Sequence, residues 1–217
     1  MARLARIVAP NIPHFITQRG NRGQDVFFQE GDALAYIGFL GEQCKRFGVE
    51  VWAYCLMPNR AHLLAVPQTE DSLGRAFGEA HRRYTNMVNA RMGWSGHLWQ
   101  SRFSSFPLDE PFILPAAHFI EMSPVMAGFC KEPEAFRWSS AKAHIKGQDD
   151  ALCAVAPLRK RGHNRFMVSP ADRDIAAHIG TGRPLGNRIF IERLEKETGR
   201  ALKKKKPGRK RKTLVLA

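Results

Sequence analysis

The sequence predicts an α+β protein built around one antiparallel sheet. Runs of β-branched and aromatic residues alternate with segments whose apolar residues recur at helical spacing. Two consecutive β-prone runs are separated by the turn dipeptide Pro58-Asn59, which predicts a hairpin. The 217 residues are 44% hydrophobic, enough to bury a core, and their 14 Phe and 4 Trp exclude a wholly disordered chain.

The first third of the chain predicts a strand, a helix and the two strands of the hairpin. In order, these elements cover residues 13–18, 30–48, 49–56 and 61–66. A Gly-rich basic loop, RGNRGQD at 19–25, follows the first strand. Gly48 is placed to end the helix, because glycine readily adopts the left-handed conformation found after helix C-termini.

The next segment predicts a second long helix, a fourth strand and a third helix. Ser72 begins the long helix, the strand lies around residues 103–108, and the last helix runs from Pro111 to its predicted end at Pro124. The order β-α-β-β-α-β is that of a ferredoxin-like or RRM-like sheet. We expect helices on one face of this sheet and a free second face for a ligand.

The remaining chain predicts smaller units after a main domain at 1–146. Residues 147–168 are interpreted as a linker, 169–199 as two short helices, and 200–217 as a basic tail. The two helices are compatible with a small helix-turn-helix element or with a helical hairpin packed on the main domain. The sequence leaves both alternatives open.

The charge indicates a polyanionic partner. A formal charge of +14 and a pI near 10.2 favour nucleic acid first and an anionic membrane surface second. Nine Lys and Arg and no acid fall in 199–212, which leaves +5 for the rest of the chain. Such a tail raises affinity for any phosphate backbone without selecting a sequence.

Other classes of protein are disfavoured by what the sequence does not contain. No apolar run reaches the length of a membrane span, and the N-terminus does not resemble a signal peptide. The four cysteines, Cys44, Cys55, Cys130 and Cys153, match no metal-binding or disulfide spacing, and we expect reduced thiols. We therefore expect a cytoplasmic protein.

Several separate stretches resemble one known family. They are TQRGNRGQDVFF (17–28), AYCLMPNRAHLL (53–64), RRYTNMVNARMGWSGHLWQSRF (82–103), SPVMAG (123–128) and FRWSS ending at Ser140. In this order they resemble the HUH-type single-strand tyrosine transposases, and most closely the REP-associated tyrosine transposase branch. The resemblance covers about residues 2–145 and implies the HUH nuclease fold.

The resemblance also implies a chemistry. Such enzymes cut and rejoin single-stranded DNA beside hairpins through a tyrosine that becomes linked to a 5′ phosphate. A Mg²⁺ or Mn²⁺ ion polarises the scissile phosphate and is held by a His-x-His pair and a polar residue four positions after the tyrosine. In a strand, i and i+2 share a face, and in a helix i and i+4 do, so this spacing brings the groups together.

The family positions carry different residues in this sequence. The His-x-His pair falls on Arg60 and His62, the tyrosine on Phe119 and the third ligand on Ser123. Phenylalanine has no nucleophilic hydroxyl, and an arginine beside one histidine disfavours a divalent cation. We therefore expect no resident cofactor and interpret His62 as a remnant ligand. Arg60 is predicted to bind a phosphate, with a solvent-exposed turn residue as the alternative.

Other polar residues offer no obvious replacement for the lost groups. Helix geometry turns Glu121 away from Phe119 and leaves His118 at the margin of the site. Tyr84 lies on the apolar stripe of its helix, which predicts a core tyrosine whose hydroxyl is hydrogen-bonded nearby. His97 and Trp99 are assigned structural roles or DNA contacts.

The preferred hypothesis is a transposase-related protein that binds DNA hairpins without tyrosine-dependent cleavage. The predicted DNA contacts are Arg19, Arg22, Arg60, Arg82, Arg83, Arg102, Lys203, Lys204, Lys205, Lys206, Arg209, Lys210, Arg211 and Lys212. One alternative is an active metal-dependent nuclease with a rebuilt site that uses His62 and a different nucleophile. Another is an RNA-binding module, for which Trp52 and Tyr54 are the only evident stacking aromatics.

Overall fold

The computed structural model of the chain describes residues 6–163 and 171–203. Within these ranges, a four-stranded antiparallel sheet has the spatial order β2-β3-β1-β4. Its strands are β1 (His14–Arg19), β2 (Val49–Met57), β3 (Arg60–Pro67) and β4 (Ser104–Pro107). The predicted α+β class and ferredoxin-like strand order are confirmed.

Two helices, α1 (Glu30–Arg46) and α2 (Ser72–Met92), cover one face of the sheet. Their buried side chains, including Tyr36 and Tyr84, form one cluster with apolar residues of the strands. After α1 the chain turns at Gly48 with φ of +63°, a conformation that a side chain would strain. This glycine therefore has the role predicted for it.

The second face is not free, and this expectation was wrong. Helix α3 (Ile113–Met126) packs across it, with Ala116 and Ile120 against Phe15 of β1. The reason is that strand residues facing both ways are apolar, so each face must be covered. Helix α3 also runs two residues past Pro124, because Ala127 N–H still bonds to the Ser123 carbonyl.

The described part of the predicted linker is packed against the sheet. It follows α4 (Ala141–Lys146) and contains α5 (Ala156–Arg159), with Cys153 and Leu158 buried. The Ala154 N–H donates to the Val51 carbonyl at 2.8 Å, which ties this segment to the outer strand β2. Residues 147–163 are therefore structural, and 164–168 lie outside the described residues.

The last two helices contact different parts of the main domain. Helix α6 (Asp172–Thr181) buries Ile175 in the cluster beneath α3, while α7 (Arg188–Thr198) packs Phe190 against Ile7. The predicted start of α6 at Ser169-Pro170 lies outside the described residues. No helix in 6–163 or 171–203 combines the length and apolarity needed to cross a membrane.

Candidate nucleic-acid interface

The α3 face of the sheet brings four of the predicted site residues together. Alternation along β3 places Arg60 and His62 on this face, and Arg60 lies opposite Arg19 of β1 in the strand register. From the helix above, the Phe119 ring lies 6.0 Å from the His62 ring, centroid to centroid. The structure therefore forms a cluster of Arg19, Arg60, His62 and Phe119, which we call the Arg60 cluster.

The electrostatics of the Arg60 cluster are dominated by its two arginines. Burial, together with the charges of Arg60 and Arg19, lowers the pKa of His62 to about 3, so this imidazole is neutral at physiological pH. Burial and the neighbouring Arg19 lower the pKa of Arg60. Neither arginine pairs with an acidic side chain among the described residues. Two like charges face each other here without neutralisation, a costly arrangement that an anion would relieve.

A divalent ion of the kind the fold family implies does not fit this cluster. The described donors close to it include His62, the hydroxyl of Thr17 opposite His62 in the strand register, and the hydroxyl of Ser123 on α3. That hydroxyl donates to the Phe119 carbonyl at 2.6 Å, and a guanidinium lies beside the only imidazole. Mg²⁺ and Mn²⁺ favour several oxygen ligands and no adjacent fixed cation.

The three tyrosines of the chain all lie on the other side of the sheet. Tyr36, Tyr54 and Tyr84 belong to the α1–α2 cluster and are buried. Their hydroxyls contact His81 at 2.9 Å, Asp150 at 2.9 Å and the Val26 carbonyl at 2.6 Å, respectively. Burial raises the pKa of each. The prediction of a hydrogen-bonded core role for Tyr84 is confirmed.

Replacing Tyr84 with phenylalanine should therefore affect stability and leave DNA binding unchanged. The change leaves the Val26 carbonyl without its tyrosine donor, so the free energy of unfolding should fall by about 1–3 kcal/mol. Urea denaturation measures the first effect and hairpin titration the second. A loss of hairpin affinity at unchanged stability would contradict this structural role.

The remaining predicted DNA contacts are not gathered in one place. Arg82 pairs with Glu79 at 2.6 Å on the surface of α2, whereas Arg83 reaches Glu42 of α1 at 2.7 Å. Arg22 lies in an exposed turn after β1 with φ of +54°. Arg82 and Arg102 line a cavity between α2 and the loop 95–103.

Of the predicted DNA contacts in the tail, Lys203 alone lies within the described ranges. Lys203 donates to Glu192 at 2.8 Å, so its charge is compensated by α7. The other tail residues named above, from Lys204 to Lys212, lie outside the described residues.

A buried polar cluster on α3 was missed by the sequence reasoning. Glu121 faces away from Phe119, as predicted, but its carboxylate accepts hydrogen bonds from His144 and His163, each at 2.7 Å, and from Ser140. Burial alone would raise the pKa of Glu121, and the two imidazoles lower it to about 2. His118 stacks on His163 at 4.8 Å between ring centroids.

This Glu121 cluster is also a possible metal-binding triad. One donor atom from each of Glu121, His144 and His163 lies within 4.8 Å of the others, and all three residues are buried. A carboxylate with two imidazoles is a donor set that Zn²⁺ accepts. The hydrogen bonds between the same atoms already satisfy the carboxylate, and the expected absence of a cofactor stays a prediction.

The two aromatics on which the RNA-binding alternative depends do not form a stacking platform. Trp52 and Tyr54 are 8% and 4% exposed and lie on β2, an outer strand. The Arg161 guanidinium lies 5.0 Å from the Trp52 ring centroid, and Tyr54 is hydrogen-bonded to Asp150. Neither ring presents a free face to a base.

Fold and sequence together place this chain among the transposases. It belongs to the family described as "Transposase IS200 like", whose model matches residues 11–121, from the turn before β1 to Glu121 in α3. No curated protein sequence matches the chain significantly.

The structure is similar to that of a REP-associated tyrosine transposase bound to a REP hairpin. The TM-score is 0.55 at 16% identity, covering 71% of this chain and 92% of that one. A putative transposase from Deinococcus radiodurans has a TM-score of 0.39 at 21% identity, covering 50% and 88%. A bacterial tRNA(His) guanylyltransferase-like protein in complex with ATP has a TM-score of 0.39 at 9% identity, covering 81% and 73%. The first similarity supports the shared fold, and the other two are too limited to bear on it.

Proposed function

We propose that this transposase-family protein binds structured single-stranded DNA, in the form of hairpins, and does not cut it by tyrosine chemistry. The observation that carries the proposal is the composition of the Arg60 cluster. Two unneutralised arginines and a phenyl ring meet there, while every tyrosine hydroxyl lies on the opposite face of the sheet. The cluster can hold a phosphodiester and contains no nucleophile to attack it.

Arginine suits a phosphate site that works without a metal ion. Its planar guanidinium is permanently charged and donates two parallel hydrogen bonds to phosphate oxygens. Arg60 is held on β3, and its Nε–H donates to Asn59 at 3.1 Å, which restricts the side chain. Arg19 on the neighbouring strand adds the second charge, so the pair can contact one phosphate or two successive ones.

The choice of a hairpin ligand is supported by the comparison. The transposase with a TM-score of 0.55 to this chain was solved with a REP hairpin bound. The exposed Arg22, the half-buried Arg83 and the basic tail would add phosphate contacts that do not depend on sequence. With such a partner, the protein would act in the cytoplasm on the bacterial nucleoid.

Replacing Arg60 with alanine should weaken hairpin binding about tenfold. Loss of one phosphate contact should also reduce the slope of log affinity against log salt by about 0.7–0.9. Fluorescence anisotropy with a labelled DNA hairpin measures both quantities, and Arg19→Ala should behave in the same way. Arg46→Ala, which removes an exposed arginine at the far end of α1, is the matched control.

The comparison of ligands completes this experiment. We expect the DNA hairpin to bind more tightly than a blunt duplex or an RNA hairpin of the same sequence. Wild-type affinity in Arg60→Ala would contradict the phosphate site, and tighter binding of the RNA hairpin would favour the RNA alternative.

A further inference from the structure

We propose that a cleft beside the Arg60 cluster binds the terminal phosphate of a DNA strand, a phosphomonoester, in preference to an internal phosphodiester. The cleft lies on the α3 face of the sheet, as the cluster does, and has a volume of about 480 Å³. It is bounded by the ends of β1 and β4, by residues 100–102 and by helix α6. The inference rests on the proposed DNA-binding function and specifies which phosphate the strand offers there.

The cleft and the Arg60 cluster together hold three arginines. Arg19 lines the cleft and lies opposite Arg60 in the strand register, and Arg102 lines it from the loop. In the described part of the chain, none of the three pairs with an acidic side chain, and no Asp or Glu lines the cleft. A terminal phosphate carries about 1.5 to 2 negative charges at pH 7, whereas an internal phosphodiester carries one. The surplus of positive charge therefore favours the terminal group.

A hydroxyl group beside the arginines adds a neutral donor. Thr17 lies two residues before Arg19 on β1, hence on the same face of the sheet, and it lines the cleft. Its hydroxyl is buried and has no hydrogen-bond partner among the described residues. An unpaired buried hydroxyl is costly, and a phosphate oxygen that accepted its hydrogen bond would remove this cost. Thr17 therefore indicates, independently of the charges, a ligand with acceptor oxygens.

The loop that carries Arg102 is fixed against β1. The Gln100 N–H donates to the Arg19 carbonyl at 2.8 Å, and the Gln18 amide donates to the Ser101 carbonyl at 3.0 Å. Ser101 has φ of +59°, an uncommon conformation for a residue with a side chain. Such a conformation persists only where the surrounding structure holds it. The two hydrogen bonds therefore keep the Arg102 backbone beside β1 before any ligand binds.

Helix α6 closes the cleft on the side of β4. Ile179 of this helix lines the cleft, and the Ser104 hydroxyl lies 3.5 Å from its carbonyl oxygen. One residue earlier on α6, the His178 ring lies 5.9 Å from the Phe106 ring of β4, centroid to centroid. A strand that enters the cleft from the Arg60 cluster therefore meets α6. An end of the strand fits such a cleft better than a segment that has to continue beyond it.

The test compares chemical forms of one DNA hairpin that has a short single-stranded flank at each end and a fluorescent label in its loop. The full chain is titrated with the hairpin carrying a 5′-phosphate, a 3′-phosphate or hydroxyl groups at both ends. One phosphorylated form should bind about 10- to 150-fold more tightly than the hydroxyl form, the value of one hydrogen bond to a charged group. A hydroxyl-ended hairpin with one additional nucleotide at that end controls for charge alone and should gain less.

The decisive quantity is the ratio of the affinities for the phosphorylated and the hydroxyl-ended hairpin. Thr17→Val and Arg102→Ala should each lower this ratio at least about fivefold, because each removes a donor to the terminal phosphate. Ser105→Ala is the matched control and should keep the wild-type ratio. It also removes a buried hydroxyl with no hydrogen-bond partner in the described ranges, but from the opposite face of the sheet, beside Ile16. Thermal unfolding of each variant confirms that it is folded.

Two failures are distinguishable. If hairpin binding depends on Arg60 but neither terminal phosphate adds more than the additional nucleotide does, the terminal-phosphate site alone is overturned. A gain that persists in both Thr17→Val and Arg102→Ala also overturns the assignment to this cleft. If no form of the hairpin binds the wild-type protein, the proposed function and the terminal-phosphate site both fail.

Discussion

Replacing Glu121 with alanine is expected to lower the free energy of unfolding by about 3–5 kcal/mol, the cost of breaking a buried charged network by removing one partner. The carboxylate is fully buried and accepts hydrogen bonds from His144, His163 and Ser140. Without it, three buried donors lose their acceptor and a cavity forms beneath α3. Urea denaturation at neutral pH measures the change.

The size of this effect follows from what the carboxylate connects. Glu121 is on α3, His144 on α4 and His163 just after α5, so one side chain joins three segments. Glu121→Gln keeps the volume but offers one acceptor oxygen instead of two, and should cost about 1–3 kcal/mol. Glu30→Ala is the control, because Glu30 pairs with Arg137 on the surface and its loss should cost less than about 1 kcal/mol.

The same measurements separate a hydrogen-bonded network from a metal centre. If the network is held by hydrogen bonds alone, a chelator should leave the wild-type unfolding free energy unchanged. A chelator-induced loss comparable to that of Glu121→Ala would show that a metal ion joins the three residues. A Glu121→Ala protein no less stable than Glu30→Ala would contradict both interpretations.

Acidification should destabilise the protein well before its carboxylates are protonated. Burial lowers the pKa of His14 to about 4 and that of His81 to about 3, from an ordinary value of 6.5. The His14 ring bonds to the Ile12 carbonyl through Nδ1 and accepts from Ala9 N–H through Nε2, so it must be neutral. His81 lies among aromatic rings and contacts the Tyr36 hydroxyl.

The direction in which the unfolding free energy changes with pH follows from how many protons His14 and His81 bind in the folded and in the unfolded chain. Below pH 6.5 the unfolded chain binds protons that the folded protein excludes, until pH reaches the folded values of about 4 and about 3. Stability from these groups is therefore fully present above pH 6.5 and falls as the pH decreases. At about pH 5 the loss should be about 2 kcal/mol per histidine.

Urea denaturation across this pH range tests the prediction. His14→Gln and His81→Gln should each flatten the pH dependence, whatever their stability at neutral pH. His97→Gln, which replaces an exposed histidine, should leave it unchanged. A wild-type unfolding free energy that is constant between about pH 7 and about pH 5 would contradict the assignment of buried neutral histidines.

Local sequence signals predicted the elements of this fold well. The Pro58-Asn59 turn, the helical stripe that includes Tyr84 and the stop at Gly48 all gave the correct elements, because each is fixed by neighbouring residues. The prediction of a free second face of the sheet was wrong, because α3 covers that face. This packing joins segments that are distant in the sequence. Apolar residues such as Phe15 and Ile16, which point to opposite faces of the same strand, were the available signal that both faces are buried.

The site was only partly accessible from the sequence for the same reason. Arg60, His62 and Phe119 were identified by resemblance to a family, and the structure brings them together. The pairing of Arg19 with Arg60 depends on strand register. The bond between Glu121 and His163 joins residues 42 apart in a segment interpreted as a linker, which no periodicity reveals.

The central claim is that this chain binds a DNA hairpin without forming a covalent link to it. Its most direct test incubates the wild-type protein with a labelled hairpin and Mn²⁺, at a protein concentration where anisotropy shows saturation, and analyses the products on a denaturing gel. The combined variant Arg60→His, Phe119→Tyr, Ser123→Asn serves as the positive comparison and should form some adduct. We predict that the wild-type protein retains the hairpin under native conditions and leaves it intact and free of protein after denaturation. A covalent protein–DNA adduct or a cleaved strand with the wild-type chain would contradict this account.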